Sequence, residues 1–222
     1  MKVLVSPDGE STGKFASMVQ AFPNIWSGSV LDVGCRSRQL KDALPKETAD
    51  YLGVDLYPPA DVVGNLGSGL PFDTASSDTV VALDVLEHTD DIYKSFTELC
   101  RVARRHVLIA LPNLYDIGGR KRFFFGQPIS AKYGLPVNPP SDRHRWLFSF
   151  QEALSFAHTM ATKNGFEVIE ERCLIGPRRS FIGVRHLVKA FPNLLAPAYV
   201  ALLRRNGAFE EHWTTSEAKG MC

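Results

Sequence analysis

The feature that most constrains the fold is a series of short apolar runs separated by helical or polar segments. Thr79–Leu83 and His106–Leu111 are apolar at nearly every position, as expected for strands that are covered on both faces. Between them, Asp90–Arg104 carries apolar residues at intervals of four, three and three, which predicts an amphipathic helix. This alternation predicts an α/β fold: a doubly wound, mostly parallel sheet with helices on both faces.

The same reasoning gives a full set of elements. Seven strands are predicted, at Ser29–Val33, Tyr51–Val54, Asp61–Val63, Thr79–Leu83, His106–Leu111, Phe166–Cys173 and Ala198–Leu203. Helices are predicted at Lys14–Phe22, Ser37–Leu44, Asp90–Arg104, Ser149–Asn164 and Arg178–Ala190. Ser149 and Glu152 have the spacing of a capping box, which indicates where the fourth of these helices begins.

The chain has 222 residues, enough for one domain with an appendage. We expect an N-terminal extension at 1–28, the α/β domain at 29–205 and a polar, frayed tail at 206–222. Residues 113–148, after the fifth strand, are rich in Gly, Pro, Arg and aromatic side chains. This stretch is too long for an ordinary connection, and its aromatic residues argue against disorder, so a lid insertion is predicted.

Composition narrows the range of partners. Lys and Arg number 25 against 24 Asp and Glu, so no excess of positive charge indicates a nucleic-acid partner, which is the less favoured alternative. The four cysteines form no CxxC pair, which predicts free thiols in a reducing cytoplasm. We expect no signal peptide and no membrane helix, because no apolar run approaches ~20 residues. The basic, apolar segment 179–205 is interpreted as a helix and an edge strand, with a weak peripheral membrane contact as the alternative.

Four segments carry a family resemblance. They are VLDVGCRSRQL at Val30–Leu40, YLGVDL at Tyr51–Leu56, GLPFDTASSDTVVALDVLEH at Gly69–His88 and LCRVARRHVLIALPN at Leu99–Asn113. Together they resemble the class I S-adenosylmethionine-dependent methyltransferases. Within these, the chain looks most similar to the type 11, MetW-like branch, which includes methyltransferases of surface-polysaccharide gene clusters. The resemblance implies a Rossmann-like fold, S-adenosylmethionine as the cofactor and methyl transfer as the reaction.

The resemblance assigns cofactor contacts to the ends of the first two strands. Gly34 lies where the backbone approaches the cofactor, so a side chain would collide there. Asp55, about 20 residues later, is implied to accept both ribose hydroxyls, with capping of a loop as the alternative. Asp32 is implied either to order the turn alone or also to reach the methionine amino group through water.

Other motif positions complete the implied cofactor site. Asn65 stands where relatives contact the adenine amino group, Leu66 would offer adenine an apolar wall, and Asp84 would lie beside the methionine half. Their neighbours in the same motifs are included: Cys35, Arg36, Leu56 and Val85.

The first turn departs from the family pattern. It commonly reads Gly-x-Gly-x-Gly, whereas this chain has Gly34, Arg36 and Arg38. We expect backbone N–H groups of the turn to face the ligand, the arginines to be tolerated at negative φ, and cofactor binding to be retained. An arginine could reach the methionine carboxylate, face solvent or pair with Asp42. A dinucleotide is disfavoured, because no pyrophosphate fingerprint is present.

The stretch DVLEH, Asp84–His88, follows the fourth strand and is expected to face the cleft. His88 is the candidate general base because imidazole titrates near neutral pH, and a hydrogen bond at a helix start is the alternative. Glu87 is expected to be structural. The stretch is similar, with one substitution, to a metal-binding sequence of ubiquinone-pathway O-methyltransferases. We nevertheless expect no metal, because Leu-Glu-His is widespread in relatives that need none.

His144 and Tyr115 are further catalytic candidates, because both belong to the predicted lid. Basic and aromatic residues are interleaved there, which suits a small anionic acceptor with a ring, single-stranded RNA, or a solvated basic face over an aromatic cluster. The leading expectation is a cytoplasmic methyltransferase acting on a small polar acceptor, a hydroxyl of a sugar or related metabolite. The alternatives are a non-catalytic regulatory or scaffolding relative and an RNA methyltransferase.

Overall fold

A computed structural model describes residues 1–6, 11–129, 131–133, 135, 137–138, 142–177 and 182–207. The strands are β1 (Lys2–Val5), β2 (Ser29–Val33), β3 (Asp50–Asp55), β4 (Val62–Val63), β5 (Ser77–Leu83), β6 (Ala103–Pro112), β7 (Phe166–Ile175) and β8 (Ala198–Arg205). The helices are α1 (Ser11–Ala21), α2 (Gln39–Ala43), α3 (Ile92–Val102), α4 (Ile117–Phe124), α5 (Phe150–Lys163), α6 (Ile182–Ala190) and α7 (Pro192–Leu195).

The strands form one sheet in the order β1-β7-β8-β6-β5-β2-β3-β4. Every neighbouring pair is parallel except the two pairs that β8 makes, with β6 and with β7. The predicted doubly wound, mostly parallel α/β sheet is therefore confirmed. Because β2, β3, β5 and β6 run in one direction, their carboxyl ends meet at one edge, where ligands bind in open α/β sheets.

In the described part of the chain the sheet has eight strands, not the seven predicted. The additional strand is β1, which pairs in parallel with β7, so the segment 1–28 supplies an edge strand and helix α1 instead of a separate extension. The sequence pattern missed β1 because the strand is four residues long and only Leu4 in it is buried. An edge strand this short has no continuous apolar run to reveal it.

Both faces of the sheet are buried, as the continuous apolar runs predicted. Within β5, Val80 belongs to the core on the side of α3 and α5, whereas Val81 belongs to the core on the side of α1 and α2. Phe96 of α3 and Met18 of α1 fill these two layers and are fully buried. Successive strand residues thus enter opposite cores, which is why the strand shows no polar face.

Helix boundaries follow local chemistry. The capping box before α5 is confirmed: Ser149 Oγ accepts from Glu152 N at 3.2 Å, and Glu152 Oε2 accepts from Ser149 N at 2.8 Å. Helix α2 is shorter than the predicted Ser37–Leu44, because the residues before it form a turn with positive φ. The start of the predicted helix 178–190 lies outside the described residues, as does 208–222 of the predicted tail.

The predicted lid, 113–148, carries helix α4 and a 3-10 turn at Ala131–Tyr133. Phe123, Phe124 and Phe125 at the end of α4 are 73%, 82% and 64% exposed, so they do not form the aromatic cluster considered from the sequence. The described cysteines are buried free thiols, and Cys222 lies outside the described residues. Among the described helices, none is long and apolar enough to cross a membrane.

Candidate functional site

The turn after β2 packs tightly against its neighbours. Gly34 has φ +75°, and a Cβ added there would lie 2.5 Å from Val85 Cγ2. The N–H groups of Gly34 and Cys35 both donate to the Val54 carbonyl, at 2.8 and 3.2 Å. The expectation that these N–H groups face a ligand is therefore wrong, since β3 already uses them. Without free N–H groups here, the turn is poorly suited to a pyrophosphate, in agreement with the disfavoured dinucleotide.

The two arginines of the turn have left-handed backbone conformations. Arg36 has φ +46° and Arg38 has φ +63°, so the expected negative φ is wrong. Arg38 Nη2 lies 2.7 Å from Asp61 Oδ1, not against Asp42, and Arg36 Nη2 lies 3.2 Å from Asp142 Oδ2 of the lid. Both positions thus have a left-handed backbone conformation that glycine adopts most readily, while their guanidinium groups pair with Asp61 and Asp142.

Asp55 closes the turn from the end of β3. Its Oδ2 accepts from Arg36 N at 2.9 Å and its Oδ1 accepts from Leu56 N at 2.6 Å. Each carboxylate oxygen has a second lone-pair direction, so both can accept one more hydrogen bond. Leu56 beside it is 50% exposed and offers an apolar contact at the same edge. Asp55 is therefore both a loop cap and an available pair of acceptors, which are the two roles weighed from the sequence.

Asp32 lies beneath the turn and is 3% exposed. Its Oδ2 accepts a hydrogen bond from Tyr51 Oη of β3 at 2.8 Å. Burial raises the pKa of the Asp32 carboxyl to about 7, against the opposing effect of the Tyr51 hydrogen bond. Cys35 is also buried, and burial raises the pKa of its thiol to about 12. The described hydrogen bond of Asp32 is thus to β3, and the Cys35 side chain is buried.

The predicted adenine contacts differ in exposure. Asn65 is exposed, and its Oδ1 accepts from Gly67 N at 2.9 Å, so that oxygen is partly committed to its own loop. Leu66 is 6% exposed and belongs to the core on the α3 side. Leu66 therefore supports the loop from below more than it lines an open surface.

Asp84 and Val85 lie between the turn and the start of α1. Asp84 has φ +57° and forms an ion pair with Lys14 of α1. Val85 packs against Gly34, as the short distance to an added Cβ shows. The sequence pointed to Asp84 but not to Lys14, because nothing in the spacing of α1 indicates that its amino group reaches this edge.

A second group of side chains lies after β5, where lid residues fold back onto the sheet. Glu87, His88 and His144 each offer a ligand atom, and these atoms all lie within 4.8 Å of one another. Glu87 is 0% and His144 is 8% exposed, and the two imidazole rings meet edge to face at 4.5 Å. The Arg145 N–H holds the lid here by donating to the Glu87 carbonyl at 2.8 Å. We call this group the Glu87 cluster.

Burial sets the protonation of the Glu87 cluster. It raises the pKa of the Glu87 carboxyl to about 8, and the charge of Asp84 adds to this effect. It lowers the pKa of His88, and it lowers the pKa of His144 to about 4. Both imidazoles are therefore neutral at neutral pH, each with one nitrogen protonated.

The lid residues around the Glu87 cluster were not all foreseen. His144 was predicted and joins His88, whereas the described contacts of Tyr115 are backbone ones, with Asn113 and Arg120. Tyr133 and Asp142, which hydrogen-bond or pair with the two histidines, were missed as site residues. The interleaved basic and aromatic composition marked the lid, but composition does not show which of its residues turn inward.

A cavity of about 570 Å³ lies between α3, α5 and residues 146–148. Its walls are largely apolar, and they include Ile92, Trp146 and Phe156. None of the predicted cofactor or catalytic residues lines this cavity, so it is separate from the sheet edge described above.

Residues 31–111 match a family described as a methyltransferase domain. A comparison with curated proteins finds no match. Among solved structures, the chain is similar to magnesium protoporphyrin IX methyltransferase from Synechocystis PCC 6803, solved with bound SAH. The two share 14% identity and a TM-score of 0.57, with 88% of this chain and 82% of that chain covered.

Two further structures show the same likeness. A SAM-dependent methyltransferase from Archaeoglobus fulgidus has 16% identity and a TM-score of 0.57, over 88% of this chain and 95% of that chain. The methyltransferase domain of bacterial CtHen1-C has 16% identity and a TM-score of 0.60, over 88% and 98%. Identities this low show a shared fold, and the residues at the sheet edge must carry any argument about chemistry.

Proposed function

We propose that this chain, which carries a class I S-adenosylmethionine-dependent methyltransferase domain, methylates a small polar acceptor, such as a hydroxyl of a sugar or related metabolite. When bound, S-adenosylmethionine supplies an electrophilic methyl group. The chain's own residues then have to position the acceptor and remove its proton. The observation that carries the proposal is the pairing of the Gly34 turn with Asp55 at one end of the cleft and the buried Glu87 cluster at the other.

The turn fits the cofactor at two points. Gly34 has no Cβ, and Val85 Cγ2 fills the space that a Cβ would take, so glycine lets the turn lie close to the residues after β5 at the proposed cofactor edge. Asp55 supports ribose binding, because each of its oxygens has a lone pair left after bonding Arg36 N and Leu56 N. The internally bonded N–H groups of Gly34 and Cys35 suit a ligand without a pyrophosphate. Arg36, Leu56, Asn65, Leu66, Asp84 and Val85 complete the proposed binding edge, and Asp32 orders it from below.

His88 is the proposed base for the acceptor hydroxyl. Its Nδ1 is held by the lid, 3.1 Å from the Arg143 carbonyl oxygen, so its Nε2 keeps the lone pair. His144 lies against it and is the second candidate. Tyr115, with a 42% exposed ring at the start of the lid, is better placed to contact the acceptor than to move a proton.

The charge of the lid favours a small acceptor over RNA. Arg145 pairs with Asp90 at 2.8 Å, Lys132 with Asp142 at 2.8 Å, and Arg36 with Asp142 at 3.2 Å. The pairing of Lys132 and Arg145 reduces the positive charge of the lid that would attract a polyanion. The alternative of a non-catalytic relative is favoured by one observation, the two arginines at glycine-like positions of the turn.

Calorimetric titration with S-adenosylmethionine tests the proposal. We expect wild-type protein to bind the cofactor, and Asp55→Ala to lose about 10- to 100-fold in affinity, because charged hydrogen bonds contribute about 1.5–3 kcal/mol each. Asp50→Ala is the matched control: Asp50 is exposed at the opposite end of β3 and should leave the affinity unchanged. Absence of binding at millimolar cofactor would support the non-catalytic alternative. Equal affinity of wild type and Asp55→Ala would refute the assigned ribose contact.

A further inference from the structure

Four buried side-chain atoms of the Glu87 cluster face one another without a hydrogen-bond partner. They are Glu87 Oε1, Glu87 Oε2, His88 Nε2 and His144 Nε2, each unpartnered within the described part of the chain. The closest approach of His144 Nε2 to Glu87 Oε1 is 3.9 Å, too long for a hydrogen bond. Buried polar atoms are almost always paired, so four that converge on one point need an explanation.

The hydrogen bonds on the far side of each ring determine which nitrogen carries the proton. His88 Nδ1 lies 3.1 Å from the Arg143 carbonyl oxygen and 3.1 Å from Asp142 Oδ1, and both of these oxygens can only accept. His88 Nδ1 is therefore the protonated nitrogen. In the neutral ring, Nε2 then presents a lone pair to Glu87.

His144 reaches the same state through a different partner. Its Nδ1 lies 3.1 Å from Tyr133 Oη, and the Tyr133 hydroxyl donates its own hydrogen to the Trp146 carbonyl. The phenol oxygen can then only accept from His144, so Nδ1 carries the proton and Nε2 the lone pair. Two imidazole lone pairs and the Glu87 carboxyl thus lie close together in one dry space. A protonated carboxyl could satisfy only one of the two lone pairs, and at 3.9 Å it does not reach His144 Nε2, whereas a cation between the three groups would serve all of them.

We propose that Glu87, His88 and His144 bind a divalent transition-metal ion, beside the cofactor edge of the proposed methyltransferase. Two imidazole nitrogens and one carboxylate favour Mn²⁺, Fe²⁺, Co²⁺ or Zn²⁺ over Ca²⁺ and Mg²⁺, which prefer all-oxygen sites. The two Nδ1–H groups are fixed by the lid, as the outer nitrogens of metal-binding histidines are in general.

The separations need only small adjustments. Two ligand atoms at ~2.1 Å from a four-coordinate ion lie ~3.4 Å apart, so the 3.9 Å between His144 Nε2 and Glu87 Oε1 would have to shorten by ~0.5 Å. The flanking acids Asp84 and Asp142 are each paired with a lysine, Lys14 and Lys132, so the negative charge at the ion comes chiefly from Glu87. Three protein ligands leave coordination positions open, which an acceptor oxygen could occupy.

This inference rests on the proposed function and changes one role in it. A histidine nitrogen that binds an ion cannot also accept a proton, so His88 acts as a ligand when the ion is present. A bound ion would stabilise the ionised form of an acceptor hydroxyl held at an open coordination position, and the hydroxyl proton would pass to water. From the sequence, His88 and His144 were predicted to be acid–base groups. The expectation of no metal rested on Leu-Glu-His alone and did not include His144.

Titration of chelator-treated protein with Co²⁺, followed by visible absorption, tests the site without an activity assay. We expect one Co²⁺ per chain, bands typical of four- or five-coordinate Co²⁺, and competition by Mn²⁺ and Zn²⁺. Glu87→Gln and His144→Ala should weaken Co²⁺ binding roughly 100-fold or more. His158→Ala is the matched control, because His158 Nε2 lies 3.0 Å from Glu171 Oε1 in an exposed pair away from the cluster.

The outcomes separate this inference from the proposed function. Wild-type protein that binds S-adenosylmethionine but no Co²⁺, Mn²⁺ or Zn²⁺ below millimolar concentration would overturn the metal site alone. Equal Co²⁺ affinity in wild type and Glu87→Gln would also overturn it. Because His144→Ala could unfold the lid, the nearly isosteric Glu87→Gln carries the test, and circular dichroism checks that it is folded.

Discussion

Two acids of similar burial lie at the ends of neighbouring strands, and only one has a hydrogen-bond partner among the described residues. Asp32, in β2, accepts a hydrogen bond from Tyr51, while Glu87, just after β5, has none for either oxygen. Tyr51 can serve Asp32 because Asp32 aligns with Gly53 in the β2–β3 register, which places Tyr51 two residues away on the same face. The partner of Asp32 is thus supplied by the sheet itself.

The difference extends to the regions around the two acids. In the turn near Asp32, the backbone N–H groups of Gly34, Cys35 and Arg36 all donate hydrogen bonds to oxygen atoms of β3. Around Glu87, three side chains from two segments that are distant in sequence lie close together, and each has an acceptor atom without a described hydrogen-bond partner. The first region has its hydrogen bonds complete within the chain, and in the proposed function it binds the cofactor at its surface. The second gains its missing partner only when a cation or a proton is added.

The largest effect expected in this comparison is a pH-dependent one at Asp32. Its pKa is about 7 in the folded protein, against about 3.9 for an unperturbed Asp, so the folded state holds a proton that the unfolded state has lost. The free energy of unfolding of wild type, relative to Asp32→Asn, should therefore fall as pH rises from about 4 to about 7, by up to about 4 kcal/mol, and then level off.

Urea unfolding at several pH values measures this difference. The exposed Asp50→Asn variant is the control: the free energy of unfolding of wild type relative to this variant should not change comparably between pH 4 and 7. A wild type that gained stability over Asp32→Asn between pH 4 and 7 would mean that Asp32 is an ionised, well-solvated acid. Asp32 and Glu87 would then differ in charge as well as in hydrogen bonding.

A smaller effect is expected at Gly34, and it tests how rigid the backbone-built region is. Gly34→Ala should lower the free energy of unfolding by about 2–3 kcal/mol, from left-handed strain of about 1–2 kcal/mol plus overlap with Val85. Gly126→Ala is a matched control: Gly126 also has positive φ, but no atom lies within 4 Å of an added Cβ. It should show the strain alone.

The double variant Gly34→Ala with Val85→Ala separates the two contributions. It should recover stability relative to the sum of the single changes, because the overlapping methyl group is removed. If Gly34→Ala lowers the free energy of unfolding by no more than Gly126→Ala does, the turn adjusts to the added methyl group. The close packing at Gly34 would then not be what shapes the proposed cofactor edge.

The sequence predicted features that depend on residues close together in the chain, and it missed features that depend on contacts with distant residues. The parallel sheet and the Gly34–Asp55 pair follow from strand patterns and from a fixed spacing within one βαβ unit. Strand β1 was missed because it has four residues and only one of them, Leu4, is buried, which gives no pattern. The positive φ of Arg36 was missed because arginine rarely adopts it, and only the surrounding hydrogen bonds impose it.

The Glu87 cluster was predicted only in its parts. His88 and His144 were each selected as proton-transfer groups, but their meeting depends on backbone hydrogen bonds from Arg145 and Trp146 to the Glu87 carbonyl. These bonds join segments more than 50 residues apart, a distance over which no periodicity carries information. Tyr115 was also predicted to be catalytic because it belongs to the lid, but its described hydrogen bonds are with Asn113 and Arg120 and not with the Glu87 cluster.

The smallest effect is expected at Arg36, where the two regions touch. Its guanidinium pairs with Asp142, which in turn lies 3.1 Å from His88 Nδ1, so this pair links the turn to the Glu87 cluster. Arg36→Gly should change the free energy of unfolding by less than about 1 kcal/mol. Relief of the left-handed strain offsets the lost exposed ion pair and the greater freedom of glycine in the unfolded chain.

Cofactor affinity decides what this link does. If Arg36 only joins the turn to the lid, Arg36→Gly should bind S-adenosylmethionine within about threefold of wild type, and Asp142→Asn should behave alike. Calorimetry measures both. A loss of tenfold or more in Arg36→Gly alone would show that the guanidinium leaves Asp142 to hold the methionine carboxylate, and would make Arg36 a cofactor-binding residue instead of a bridge between the two regions.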